Sequence, residues 1–176
     1  GGASAGSRAG RAARIGPRTA GVAITQPNSP TGSILNARDL DVLVGLLAPR
    51  GIWLLSDEVY RDLALAPDLV VPSACGRYDR AIVVGDVAKP FGLGGLRIGW
   101  VITRDPEIRA LIAAGRDYTT LSPPTPSAAL AEIALRHADQ LLARPLQNAR
   151  ANLDSLRASA CRWSSLSLAP PQAGVT

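Results

Sequence analysis

The chain has 176 residues, 47% of them hydrophobic, and a net charge of +5 from 19 basic and 14 acidic side chains. That length suits one domain, and that apolar content excludes intrinsic disorder of the whole. No apolar run reaches the roughly 20 residues of a membrane-spanning helix, and the basic N-terminus lacks the apolar stretch of a signal peptide, so a cytoplasmic protein without a membrane partner is expected.

Residues 1–19 are small, Gly-rich and basic, with Arg8, Arg11, Arg14 and Arg18, and read as a poorly structured segment. From Gly21 onward, short β-branched runs alternate with helical patterns. Strands are predicted at Val22 to Thr25, Ile52 to Leu55, Ala81 to Val84 and Ile98 to Ile102. Helices are predicted from Asn36, as N-cap, to Leu47 and from Asp105-Pro106 to about Ala114. Two more follow, one over Ser127 to Leu142 and one from Pro145 to about Ser159. This alternation predicts an α/β fold of three layers, αβα, with a mainly parallel sheet. The end of the chain, residues 171–176, reads as the start of a new strand that is cut short.

Eighteen of the 19 bases are arginine, and Lys89 is the only lysine. The arginine excess accompanies 17 Gly, 14 Pro and no Met, so it reflects composition more than a nucleic-acid partner, and none is expected. Cys75, Cys161 and His137 lie too far apart for a zinc site of usual spacing or a disulfide framework, so no metal is expected. One histidine also argues against Ser-His-Asp or Cys-His catalysis. His137, in a Leu/Ala-rich stretch, reads as a partly buried helix residue.

Ligands of open parallel sheets bind where the chain leaves the carboxyl ends of the strands. The first strand runs into Gln26-Pro27-Asn28-Ser29-Pro30-Thr31-Gly32, and the second ends in Ser56-Asp57-Glu58-Val59-Tyr60. The third ends in Gly85-Asp86-Val87-Ala88-Lys89-Pro90-Phe91-Gly92, and Leu93-Gly94-Gly95-Leu96-Arg97 precedes the fourth. These positions collect a carboxylate, a phenol, the lone lysine and an arginine, which is what a cofactor with a carbonyl, a basic ring nitrogen, a phenolic oxygen and a phosphate requires. The segment Gly115 to Ser122 either reaches this edge or forms an ordinary surface loop.

The segments QPNSPTG, SDEVY and DVAKPFGLGGLRIGW resemble the signature segments of class I/II aminotransferases, fold type I enzymes dependent on pyridoxal phosphate. Their order matches, as do the intervals of 28 from Ser29 to Asp57, 32 from Asp57 to Lys89 and 8 from Lys89 to Arg97. The resemblance runs from about Ala12 to about Gly174. It implies that residues 20–158 are part of the cofactor-binding large domain and 159–176 the truncated start of a small C-terminal domain.

By this resemblance, Lys89 would form the aldimine with pyridoxal 5'-phosphate and act as the catalytic base on the substrate's α-proton, which requires a deprotonated amine. Asp57 would pair with the pyridine nitrogen, Tyr60 would donate to the ring's phenolic oxygen, and Arg97 would clamp the phosphate. Pro90 biases Lys89 toward extended backbone. Gly92, Gly94, Gly95 and Gly99 would let the backbone approach closely, without forming a dinucleotide fingerprint.

Two positions depart from the family pattern. Ser29 stands where an asparagine usually contacts the ring oxygen, with Asn28 one place earlier, so both are candidate cofactor contacts. Asp86 stands where a phosphate-binding serine is common; it either points away, binds a neighbouring donor, or marks a subfamily that holds phosphate differently. The family's upstream phosphate-binding turn, ring-stacking aromatic residue and substrate-carboxylate arginine have no counterpart here. These residues alone are therefore expected to be inactive.

The function implied is amino-group transfer between an amino acid and a 2-oxo acid, in a homodimer when full-length. The alternatives are another reaction on the same fold, such as decarboxylation, elimination or oxidation, or a non-catalytic aminotransferase-like domain of a regulator.

Overall fold

Four short strands rich in β-branched and bulky apolar residues lie side by side in the computed structural model, which describes residues 15–174. They are β1 (Gly21–Thr25), β2 (Trp53–Asp57), β3 (Ala81–Asp86) and β4 (Gly99–Thr103), in the order β1-β2-β3-β4. The first three are parallel, and β4 runs antiparallel to β3. The sheet is therefore mixed, with the expected parallel part confined to β1 to β3. The reversal follows from the connection: only residues 87–98 separate β3 from β4, and they hold no crossover helix of the length that a parallel return needs.

One face of the sheet carries the main core. Val22 and Ile24 of β1, Leu54 of β2, and Ala81 and Val83 of β3 share that face by strand alternation. They pack with Leu40, Leu43 and Leu47 of helix α1 (Ala37–Leu47). These three leucines recur at i, i+3 and i+7, which places them on one helical stripe. Asn36 caps α1 as expected, its side chain accepting the Asp39 N–H at 2.9 Å. The opposite face, with Ala23 and Leu55, is exposed among the described residues. It is the face on which the next even-spaced residues, Thr25, Asp57 and Val84, also lie.

The later helices are α2 (Ala88–Phe91), α3 (Pro106–Thr119), α4 (Thr125–Arg136) and α5 (Ala138–Ala160). A second core forms where Val87 and Phe91 meet Ala131 of α4, with Trp100, Ala138 and Leu142 packed around them. The expected break between the last two helices falls at His137 instead of near Pro145. His137 has non-helical angles (φ −114°, ψ 28°), although its backbone N–H still reaches the Ile133 carbonyl at 3.1 Å, and its ring Nδ1 lies 2.9 Å from the same oxygen. It is exposed, which corrects its reading as a partly buried residue within one helix.

Pro145 sits inside α5 although proline in a helix interior removes a hydrogen bond and costs about 3 kcal/mol. Tertiary contacts hold the helix on both sides of it. Ala138 and Leu142 pack on the second core, Leu153 is buried, and Arg150 Nε donates to the Leu65 carbonyl at 2.7 Å. No helix among the described residues is long and apolar enough to cross a membrane.

Of the N-terminal basic segment, residues 1–14 fall outside the described residues, Arg8, Arg11 and Arg14 among them. Ile15 packs against the main core, and residues 16–19 form a turn closed by Thr19 N–H to Gly16 C=O at 3.1 Å.

Candidate active site

The strand register brings the sequence-predicted residues to one edge of the sheet. Thr25 pairs with Asp57, and Asp57 with Val84, so β1 and β2 end level with each other and β3 runs two residues further, to Asp86. Asp57 and Asp86 project on the same face, because Asp86 is two residues beyond Val84. Gly99, at the start of β4, pairs with Asp86. The antiparallel direction of β4 thus puts the residues before it, including Arg97, on the edge where the parallel strands end.

Asp57 is half-buried, and its Oδ1 accepts the Val59 N–H at 3.2 Å, which fixes the turn that leads to Tyr60. Lys89 is exposed, and its Nζ lies 5.9 Å from the centroid of the Tyr60 ring. Residues from two different strand exits therefore meet, at the outer range of a cation–π contact.

Lys89 is helical, not extended as the following proline suggests. It is the second residue of α2, with Pro90 third. The first N–H groups of a helix have no partner within it, so a proline there removes nothing the helix uses. Asp86 Oδ1 accepts the Lys89 backbone N–H at 2.9 Å. Of the three roles left open for Asp86, binding a neighbouring donor is the one observed, and the acidic side chain closes the first turn under the lysine.

Arg97 is exposed and takes left-handed backbone angles (φ 56°, ψ 37°), uncommon for a non-glycine residue. Its Nη1 donates to the Gly94 carbonyl at 3.2 Å, which leaves further guanidinium donors for an anion. Among the four glycines expected to allow close approach, only Gly99 is crowded by backbone: a Cβ there would lie 2.9 Å from the Gly85 oxygen. Around Gly95 there is open space.

The first loop is closed on itself. Asn28 N–H donates to Ser33 C=O at 2.9 Å, Gly32 N–H to Asn28 C=O at 2.7 Å, and Asn28 Nδ2 to Thr31 Oγ1 at 2.7 Å. The Asn28 amide thus serves its own turn, while Ser29 is exposed beside it.

Sequence reasoning passed over three polar residues that shape this edge. Gln26 is 1% exposed, and its amide makes a two-way bridge to Leu35, accepting its N–H at 2.8 Å and donating to its carbonyl at 2.6 Å. Glu58 is buried and accepts from Ser56 Oγ and from the Ala74 N–H, each at 2.9 Å. Gln172 reaches back to the first loop. Strand alternation alone puts Ser56 on the core face, where a polar side chain needs a partner, and that was the available signal for Glu58. The segment Gly115 to Ser122 is exposed and mostly helical, since α3 continues through it to Thr119. Clefts of about 590 and 620 Å³ lie away from Lys89, one between the Leu65 to Leu69 segment and α5, the other along the outer edge of β1.

The family model for aminotransferases of class I and II matches residues 7–176. The chain belongs to this family. Within it, the aminotransferase-family chain is 32% identical over 164 residues to capreomycidine synthase of Streptomyces vinaceus, covering 92% of this chain and 41% of that protein. It is 34% identical over 92 residues to arginine–pyruvate transaminase AruH of Pseudomonas aeruginosa, covering 52% of this chain and 23% of that protein. In structure it resembles a PLP-dependent aminotransferase of Streptococcus suis, with TM-score 0.84 and 31% identity over 92% of this chain and 42% of the other. It also resembles the PLP-dependent cyclase OrfR, with TM-score 0.85 and 30% identity over 95% of this chain and 44% of the other. The chain therefore spans less than half the length of these relatives.

Proposed function

We propose that the protein carrying this chain is a pyridoxal phosphate-dependent aminotransferase that moves an amino group between an amino acid and a 2-oxo acid, and that it works as a homodimer. The observation that carries the reading is the meeting of Lys89 and Tyr60 at 5.9 Å, on the strand edge that also bears Asp57 and Arg97.

The donor set fits the cofactor: an amine for its carbonyl, a carboxylate for its ring nitrogen, a phenol for its phenolic oxygen and a guanidinium for its phosphate. Asp86, whose charge opposes a phosphate, has an oxygen engaged by the Lys89 N–H. When bound, pyridoxal phosphate supplies an electron sink for the carbon that loses its proton. Lys89 Nζ holds the cofactor and moves the substrate's α-proton, Asp57 keeps the ring nitrogen protonated, Tyr60 Oη donates to the phenolic oxygen, and Arg97 orients the phosphate. Asn28 and Ser29 would contact the cofactor from the first loop, Ser29 through its exposed hydroxyl.

A second reading is favoured by two of the relatives. A synthase and a cyclase share 32% and 30% identity with the chain over nine-tenths of its length, so a different reaction on the same cofactor is the alternative. The test uses the complete protein. It should gain the visible absorbance of bound pyridoxal phosphate, borohydride should fix the cofactor to Lys89, and Lys89→Ala should abolish both; unchanged absorbance in that variant would falsify the assignment. A screen of amino donors against 2-oxo acids then separates the readings, since cofactor turnover without amino transfer excludes the first. Sedimentation of the same sample checks the dimer.

A further inference from the structure

The first strand's loop and the segment after Tyr60 are tied together by a stretch distant in sequence. Gln172 and Ala173 N–H both approach the Gly32 carbonyl, at 2.9 and 3.1 Å, and the Ile34 N–H donates to Gln172 Oε1 at 3.1 Å. On the other side, the Leu65 N–H donates to the Gln172 carbonyl and the Gly174 N–H to the Leu63 carbonyl, both at 2.9 Å. Ala64 and Ala173 form an antiparallel bridge, and Ala173 is 1% exposed.

Gly32 is built for this contact. Its φ of +65° is left-handed, and a Cβ would lie 2.3 Å from Pro171 Cβ and 2.6 Å from the Ala173 oxygen. The loop it belongs to is otherwise braced by its own residues and by Gln26, while its tip, residues 29–31, is exposed. Among the described residues, the hydrogen bonds that tie its far side, Gly32 and Ile34, to a remote part of the chain come from Gln172 and Ala173.

We propose that residues 171–174 form a clasp that sets the position of the Asn28–Ser29 loop relative to the Tyr60 turn, with Gln172 as a positioning residue for the cofactor; this rests on the pyridoxal phosphate reading above. Gln172 spans the two loops with one residue: its backbone serves Gly32 and Leu65, and its side chain serves Ile34. A loop so held presents its polar tip in one place, and a ligand then spends less binding energy on ordering it.

The experiment compares Gln172→Ala with Gln172→Glu in the complete protein. The alanine variant loses the acceptor for the Ile34 N–H, whereas glutamate keeps an oxygen there. Expected for Gln172→Ala are faster amide exchange across residues 28–34 in the cofactor-free protein, a roughly fivefold rise in the Kd for pyridoxal phosphate, as one net hydrogen bond implies, and unchanged amide exchange in the sheet core. Gln172→Glu should restore both the exchange and the affinity. Unaltered exchange and Kd in Gln172→Ala, or equal loss in both variants, overturns the clasp. If the wild type binds no pyridoxal phosphate, the functional reading fails, and slower exchange of residues 28–34 in wild type than in Gln172→Ala still upholds the tether while its absence overturns it.

Discussion

Asp86 Oδ1 accepts the backbone N–H of Lys89 at 2.9 Å, so the residue that opposes a phosphate by charge is the one that closes the turn carrying the lone lysine. Replacing it with alanine leaves that N–H unpaired. Asp86→Ala is expected to lower stability by about 1 kcal/mol, and Asp86→Ser to recover most of it, since serine is also a good cap. Urea unfolding of the three proteins checks this, and equal midpoints for all three contradict it.

Glu58 holds two buried donors with one oxygen, the Ser56 hydroxyl and the Ala74 N–H. Glu58→Ala strands both, at about 1–3 kcal/mol for each unsatisfied group. Glu58→Gln retains an acceptor oxygen and should cost clearly less. The ordering of the two variants in a denaturant titration is the readout.

Tyr78 bears on alkaline stability. Burial raises its phenol above the ordinary value of 10.0, while the charge of Arg80 pulls the other way. The folded state therefore favours the neutral phenol, whose hydroxyl donates to the Ile52 carbonyl at 2.8 Å. A value raised on folding gives stability that is complete below about pH 10 and is lost as pH climbs through the folded value. Tyr78→Phe should be less stable near neutrality yet show a flatter loss of stability above pH 10, measured by thermal melts across that range.

Arg97 combines a strained backbone with a proposed role at phosphate. Glycine in its place relieves the left-handed cost of about 1–2 kcal/mol, offset in part by a more flexible unfolded chain. Arg97→Gly is accordingly expected to match or exceed the wild type in stability by up to ~1 kcal/mol, whereas Arg97→Ala keeps the strain. Both variants should weaken pyridoxal phosphate binding by roughly 10- to 100-fold, as loss of a charge-assisted hydrogen bond implies. Calorimetry gives the stability, and cofactor titration of the complete protein gives the affinity.

What the sequence disclosed was mostly local. Asn36 announces the start of α1 because capping is read within three residues, and the strands stand out because their apolar runs sit between turn residues. The grouping of Asp57, Tyr60, Lys89 and Arg97 on one edge was legible through the rule that sites form at strand ends. What escaped was decided by distant contacts. The run of α5 through Pro145 depends on packing on both sides of it, and the break at His137 is a change of backbone angles that no Gly or Pro at that position announces. Pro90 was read as biasing Lys89 toward extended backbone, but position within the first helical turn outweighed that bias. Gln172 gave no local sign at all, since its partners are more than a hundred residues away.

Because β4 doubles back, Lys89 and Arg97 belong to a single short connector, residues 87–98, whose two ends are stitched together by the Val87 N–H to the Ile98 carbonyl at 3.2 Å. The two groups are thus a cassette. Exchanging residues 86–99 with those of a relative should carry amine and guanidinium across together, in their mutual spacing, whatever happens to the rest of the sheet.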